Sequence, residues 1–276
     1  LTAEQAAHAV ALAATQTSGL VGSFGTMAKP FHAGKAAMDG ILAAQLAAGG
    51  FTGNPAVLEA GGGLDNAVIQ DGSLSIVPVA YGEWRILRNS FKPYAACHLT
   101  HPAIDAARAL IAQGIAPASL RSIHADVGAL AMKVTGGADG KPITPLAGKF
   151  DMKHCIALAL HGHDASAADF REPWVLDPAI AATGVRISVA ESPEMGFASA
   201  RLRVETDRGP LLSEIAVAKG HPGNPMGWED MLSKFDGLCA PTLGNRVREA
   251  FDLVRRFGDG AAMSDLRAGL VGLGRV

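Results

Sequence analysis

The sequence predicts a two-domain protein. One domain is all-α and is drawn from both chain ends; the other is an inserted α+β segment with antiparallel strands. Three observations carry this reading. Apolar residues recur at helical spacing up to about Arg88. They switch to strict alternation over residues 185–189 and 200–205. Helical spacing then returns beyond Pro222. The expected parts are 1–88 for the helical domain, 89–222 for the α+β domain and 223–276 for the helical return. With 276 residues, 49% of them apolar, the chain is long enough to bury a core in each domain.

Each element has a local reason. Thr2-Ala-Glu-Gln5 fits a capping box, in which two side chains satisfy free amides of a first helical turn, and an Ala-rich helix to Ala14 follows. Residues 18–34 carry Gly19, Gly22, Gly25, Pro30 and Gly34 and read as a loop or broken helix. A helix is expected over 35–48, with Met38, Ile41, Leu42 and Leu46 on one face, closed by Gly49-Gly50. A turn at 51–55 and a short helix over 55–60 come next, before Gly61-Gly62-Gly63.

In the middle third, Thr100 is placed to cap a helix with Pro102 in its first turn. Ile104, Ala107, Leu110 and Ile111 form that helix's apolar face, and Gly114 ends it. Strands are expected over 121–127 and 129–134, a polar loop over 136–145, and an apolar helix over 150–160. Asp207-Arg208-Gly209 joins the runs 200–205 and 211–217 into a half-exposed antiparallel hairpin. After the turn-rich His221-Pro-Gly-Asn-Pro225, helices are expected over 228–235 and 246–257.

Composition narrows the function. There are 24 Lys+Arg against 26 Asp+Glu, a formal net charge of −2, so no basic footprint for nucleic acid exists. No run of about 18 uncharged apolar residues spans a membrane. Cys97, Cys155 and Cys239 are too few for a disulfide scaffold and point to a reducing, cytoplasmic setting. No targeting segment is visible. Because the chain opens on Leu1 and enters a helix at once, an upstream part of the gene product is expected to be absent.

Two constellations carry chemistry. The first is Gly25-Thr-Met-Ala-Lys-Pro-Phe-His-Ala-Gly34, at the mouth of the helix expected from Lys35. Free amides at a helix start, the Lys29 charge and the His32 imidazole suit a carboxylate. The plain alternative is a Gly-rich connector with solvated Lys29 and His32. The second is Phe91-Lys-Pro-Tyr-Ala-Ala-Cys-His-Leu-Thr-His101, which brings Lys92, Cys97, His98 and His101 within ten positions where composition shifts. Zinc on Cys97, His98 and His101 lacks a well-spaced fourth ligand. His154, Cys155, His161 and His163 complete it only by force, since Cys155 sits in an apolar helix and points to the core. A Cys97–His101 nucleophile lacks a third, orienting residue. Gly61-Gly62-Gly63 fits no phosphate-loop pattern, and Ser18 and Ser23 lack a nucleophile elbow. Asp39, Glu59 and Asp65 read as surface or cap residues.

These segments resemble the 2-methylcitrate dehydratase family, also called MmgE/PrpD. Beside the two constellations, the resemblance rests on Gly50-Phe-Thr-Gly53, Glu59-Ala-Gly-Gly-Gly63 and His101-Pro-Ala-Ile-Asp-Ala106. Gly148-Lys-Phe-Asp-Met-Lys-His-Cys-Ile-Ala157, Gly223-Asn-Pro225 and Lys234-Phe235 follow in the family's order. It implies a helical domain from both chain ends, an inserted α+β lid, a homodimer, and no metal or organic cofactor. The shared chemistry is movement of a proton next to a carboxylate on a small polycarboxylate. Dehydration of a 2-methylcitrate-like substrate leads. Epimerisation of iminodisuccinate, decarboxylation of cis-aconitate and a non-catalytic remnant are the alternatives.

The resemblance makes Lys29, Lys92 and His101 catalytic, with Gly25, Thr26, His32 and His98 binding substrate. Cationic lysines hold carboxylates and stabilise enolate-like charge, and a neutral imidazole or lysine transfers the proton. Two features depart from the family pattern. The stretch that normally precedes Leu1 and supplies acidic and histidine groups is missing, and residues 127–132 lack the tyrosine of the decarboxylase branch.

Overall fold

The computed structural model describes residues 1–23, 26–69, 82–260 and 262–274. Its contacts divide the chain into two compact units, Leu1–Glu83 and Trp84–Val276. Among the described residues no helix is long and apolar enough to cross a membrane.

The first unit is built on α1 (Ala3–Ala14) and α2 (Ala28–Ala48), with a short α3 (Leu64–Val68). The capping box is present: the Gln5 amide donates to Thr2 Oγ1 at 3.2 Å, and the Thr2 amide to Gln5 Oε1 at 2.9 Å. α2 begins at Ala28, seven residues before the expected start at Lys35. Pro30 does not prevent this, because the first amides of a helix have no intrahelical acceptor and nothing is lost at the third position. The Lys-Pro-Phe-His motif therefore belongs to the first turns of α2. Residues 55–60 form hydrogen-bonded turns instead of the expected helix.

α1 and α2 pack on each other through small side chains: Ala11, Ala43 and Ala47 are buried. The larger residues expected to form the inner face lie outside, Met38 at 57% and Ile41 at 62% exposure. Alanine faces let two helix axes approach closely, which turns the bulky stripe away from the contact. Asp39, expected at the surface, is buried at that contact and takes a 2.5 Å ion pair from Lys35, whose Nζ also donates to the Gln16 carbonyl at 3.1 Å.

The second unit opens with α4 (His101–Ala112), followed by β1 (Leu120–Val127) and α5 (Ala129–Ala131). The short helices α6 (Pro145–Gly148), α8 (Glu172–Val175) and α9 (Pro178–Gly184) flank α7 (Met152–Leu160). Three strands follow, β2 (Ile187–Glu191), β3 (Ala200–Thr206) and β4 (Gly209–Ile215). α10 (Trp228–Leu243), α11 (Val247–Gly258) and α12 (Met263–Gly274) close the chain.

The sheet runs β2-β1-β3-β4. The hairpin of β3 and β4 is antiparallel as expected, and so is β1 with β3, but β2 lies parallel to β1, so the sheet is mixed. The connection from β1 to β2 runs through α7 and α9, and a crossover of that length is what a parallel pair requires. The strand expected over 129–134 is instead α5 and a π turn at Met132–Gly136, made by the strong helix formers Ala129, Leu130, Ala131, Met132 and Lys133.

β3 alternates cleanly: Ala200, Leu202, Val204 and Thr206 are buried, while Arg203 and Glu205 face out. The inner face meets α4, and α7 packs against α4, α9 and β2. Ile104, Leu110, Ile156, Leu158, Leu160 and Leu202 are all fully buried in this core. On the outer face charges pair across strands, Arg201 with Glu214 at 2.7 Å and Arg203 with Asp126 at 2.9 Å. Replacing Leu158 by Ala should cost about 2–5 kcal/mol of unfolding free energy. Ile41→Ser, on the exposed stripe, should change stability by no more than about 0.5 kcal/mol. Urea melts of the two variants check the contrast.

Candidate active site

In the first unit, Lys29 and His32 lie three residues apart, hence on neighbouring positions of one helix surface. Lys29 is exposed and His32 half-buried. Thr26, also exposed, stands just ahead of the helix; its Oγ1 accepts from the Ala28 amide at 3.3 Å and donates to the Ser23 carbonyl at 2.7 Å. The His32 ring is backed by Gly19, where φ is +140° and a β-carbon would lie 3.2 Å from Nδ1. Gly25 is outside the described residues. Moving the helix start to Ala28 turns the expected loop into a rigid support for Lys29 and His32.

In the second unit, Lys92, Tyr94, Asp105, Arg108, Lys219 and Lys234 line a cleft of about 780 Å³. Three chain segments meet there. Lys92 precedes α4, and its Nζ donates to the Ala96 carbonyl at 3.2 Å. The Phe91 amide donates to the Gly220 carbonyl at 2.8 Å, which brings the Lys92 and Lys219 segments side by side. Gly220 has φ +87°, and a β-carbon there would lie 2.0 Å from the Phe91 carbonyl oxygen. No other residue fits this crossing. Asp105, on α4, ties the segments together: one carboxylate oxygen accepts the Tyr94 hydroxyl and the other the Lys219 amide at 2.8 Å. Lys219 Nζ then reaches Asp230 of α10 at 2.8 Å. Across the cleft Arg108 pairs with Asp164 at 2.7 Å.

His101, the first residue of α4, is completely buried, and neither ring nitrogen has a hydrogen-bond partner. Its ring is packed edge-on by Tyr94 at 5.1 Å and by the His98 ring at 4.9 Å. Burial pushes the His101 imidazole down to about 3; His98, Lys92 and Lys234 push the same way, and the Ala96 backbone opposes them. Burial likewise lowers His98, with Lys92 and His221 adding to it. Both rings are therefore neutral at pH 7. Burial and the adjoining Asp105 carboxylate keep the Tyr94 phenol protonated. Burial raises the Asp105 carboxyl, against the opposing Tyr94 and Lys219 hydrogen bonds.

The remaining histidines and cysteines do not assemble into a centre. His154 is buried with no hydrogen-bond partner for either ring nitrogen, His161 bonds Thr183 at 2.8 Å, and His163 bonds Asp169 at 3.1 Å. Cys97, Cys155 and Cys239 are free thiols. Burial holds the Cys155 thiol well above its ordinary value, consistent with its expected core position. Among the described residues no group of three His, Cys, Asp or Glu side chains is arranged to hold a metal ion.

Sequence reading placed Lys92, His98 and His101 in one segment, and the fold keeps them together. It missed Tyr94, Asp105, Lys219, Asp230 and Lys234. The sign that was available is that Tyr94, one of only two tyrosines, and Asp105 lie inside the singled-out motifs.

Residues 94–257 match the MmgE/PrpD C-terminal domain, and residues 1–76 match the MmgE/PrpD N-terminal domain. The chain belongs to the MmgE/PrpD family. Two cis-aconitate decarboxylases of Aspergillus terreus are similar to this MmgE/PrpD chain. One is 26% identical over 280 residues, and the other, from strain NIH 2624 / FGSC A1156, is 25% identical over 278. Each alignment covers 92% of this chain and 57% of the relative, so the chain spans a little over half the length of the relatives it matches.

Two outcomes test this part of the MmgE/PrpD fold. Gly220→Ala should destabilise the second unit by more than the roughly 1–2 kcal/mol of a left-handed backbone alone, since the β-carbon also meets a carbonyl. Thermal melts read this directly. The second outcome concerns acid. Between pH 6.5 and about 4 the unfolded chain binds protons that folded His101 and His154 refuse, their values being pushed by burial to about 3 and about 4. Unfolding free energy should fall with falling pH by about 1.4 kcal/mol per unit for each group. Asp105 and Asp151, raised by burial, oppose this above pH 3.8, because there the folded state takes up their protons first. Urea midpoints at pH 7, 6 and 5 should show a shallower slope in His154→Gln than in the unaltered chain.

Proposed function

We propose that this chain serves an enzyme that moves a proton next to a carboxylate on a small polycarboxylate, with dehydration of a 2-methylcitrate-like substrate as the leading reaction. The observation that carries the reading is the grouping of the Lys92 amine with two neutral imidazoles, His98 and His101, on one short segment, in a chain of the MmgE/PrpD family. Lysine ammonium groups bind carboxylates and stabilise the negative charge that develops as the adjacent carbon loses its proton. A neutral imidazole accepts that proton, and a depressed value keeps it neutral in the presence of two lysines.

In this reading Lys29, with Thr26 and His32 beside it, is a carboxylate-binding motif of the first unit; in the second, Lys92 binds carboxylate and the His98–His101 pair receives the proton. His98 is the half-buried member of that pair and His101 the buried one behind it. The proton removed and the hydroxide expelled together make one water, so dehydration needs no oxidant.

Decarboxylation of cis-aconitate is the second reading. It is favoured by the two curated relatives, which carry that name. The region 127–132, which turns out to span the end of β1, α5 and the π turn, has no tyrosine. Assays on citrate, 2-methylcitrate, cis-aconitate and iminodisuccinate separate the cases: water loss, carbon dioxide release and epimerisation each leave a different product.

Lys29→Met and Lys92→Met should each lower turnover by roughly two orders of magnitude or more, with the circular-dichroism spectrum unchanged. Both side chains are exposed, so neither supports a core. Full turnover in either variant contradicts the assignment. No turnover of any of the four substrates by the unaltered chain favours a binding-only role.

A further inference from the structure

We propose that Lys234 of α10 and Lys92 form a two-point clamp for one carboxylate of a polycarboxylate in the 780 Å³ cleft of the second unit. The inference deepens the polycarboxylate reading and rests on it for the ligand class.

The geometry isolates these two cations by elimination. Arg108 is committed to Asp164 at 2.7 Å, and Lys219 to Asp230 at 2.8 Å. Asp230 is one helical turn before Lys234 and is the acid nearest to it in sequence on that face of α10. Its Oδ2 already accepts from Lys219 Nζ and from the Gly227 amide at 2.8 Å. Asp105 is taken by Tyr94 and the Lys219 amide. Among the described residues Lys234 has no ion pair, although its side chain is half-buried on the cleft wall. Lys92 has a single neutral acceptor, the Ala96 carbonyl at 3.2 Å. Asp236, the remaining acid of the lining, is on the exposed side of α10.

Both lysines also act on the same buried group. The charged neighbours felt at His101 are His98, Lys92 and Lys234, and those felt at His98 are Lys92 and His221; no carboxylate is among either set. His101 thus lies behind Tyr94 of the cleft wall with Lys92 and Lys234 as its nearby cations. Two ammonium groups lining one space, one of them half-buried, repel each other until an anion enters. A carboxylate relieves this with one oxygen to each amine. A polycarboxylate also presents more negative charge to the two amines than acetate does, so di- and tricarboxylates are favoured over monocarboxylates.

The probe is tricarballylate, which has neither a hydroxyl to lose nor a double bond and therefore does not react. Calorimetry of the unaltered chain at low salt should show saturable binding, stronger than for acetate. Lys234→Met should weaken it at least tenfold, Lys234→Arg should restore most of the affinity, and Lys141→Met on a distant loop should leave it unchanged. Should Lys234→Met fail to fold, lysine labelling of the unaltered chain read by mass spectrometry replaces it. Tricarballylate should then protect Lys92 and Lys234 and leave Lys141 labelled.

Affinity within twofold of the unaltered chain in Lys234→Met, equal labelling of Lys234 with and without tricarballylate, or no saturable binding at all each overturn the clamp. The outcome is separable from the proposed reaction. Loss of turnover in Lys92→Met with normal binding in Lys234→Met removes the clamp and keeps the reaction. Binding that depends on Lys234 without turnover of any substrate does the reverse.

Discussion

The second unit depends on one carboxylate. Asp105 receives the Tyr94 hydroxyl on one oxygen and the Lys219 amide on the other. It thereby joins the segment before α4, α4 itself and the stretch that leads into α10. Hydrogen bonds to a charged group are worth about 1.5–3 kcal/mol each, more than neutral ones. The second, from a backbone amide 114 positions away, fixes where Lys219 sits, and Lys219 then fixes Asp230 of α10. Without Asp105 the segments that carry Lys92, Lys219 and Lys234 have no common frame. The Phe91–Gly220 crossing acts beside it and needs a residue with no β-carbon.

The second constraint is the cost of burying imidazoles without partners. His101 and His154 each leave both ring nitrogens unsatisfied. An unpaired buried polar group costs about 1–3 kcal/mol, so the core carries a penalty that apolar packing of α4 and α7 must exceed. For His101 the burial has a chemical consequence. A neutral ring behind Tyr94 adds no positive charge beside Lys92 and Lys234. For His154, packed near Phe170 with ring centroids 6.2 Å apart, the structure shows only the penalty.

The first unit follows a different rule. Its two long helices meet through alanines, and the bulky side chains of α2 turn outward. The Lys29–His32 motif occupies the first turns of α2, so its geometry is set by a rigid helix and by the close approach of Gly19.

Local chemistry written in short stretches was legible in the sequence. The Thr2 capping box, the helix over Lys153 and its neighbours, the β3–β4 hairpin and the grouping of Lys92, His98 and His101 each depend on residues within about ten positions. The family follows from the order of such stretches along the chain. What escaped depends on long-range contacts. The start of α2 was obscured by Pro30, which reads as a helix breaker until its place in the first turn is known. The segment 129–134 is a short apolar run that reads as a strand, yet no neighbouring strand edge takes it up and its helix formers prevail. The parallel placement of β2 requires the whole crossover. Asp105, Lys219, Asp230 and Lys234 are ordinary charged residues in sequence. Only the folding of α4 against β3 and β4, and the Phe91–Gly220 crossing, bring them to one cleft, because a charge acquires a role from what lies within a few ångströms of it and not from its neighbours along the chain.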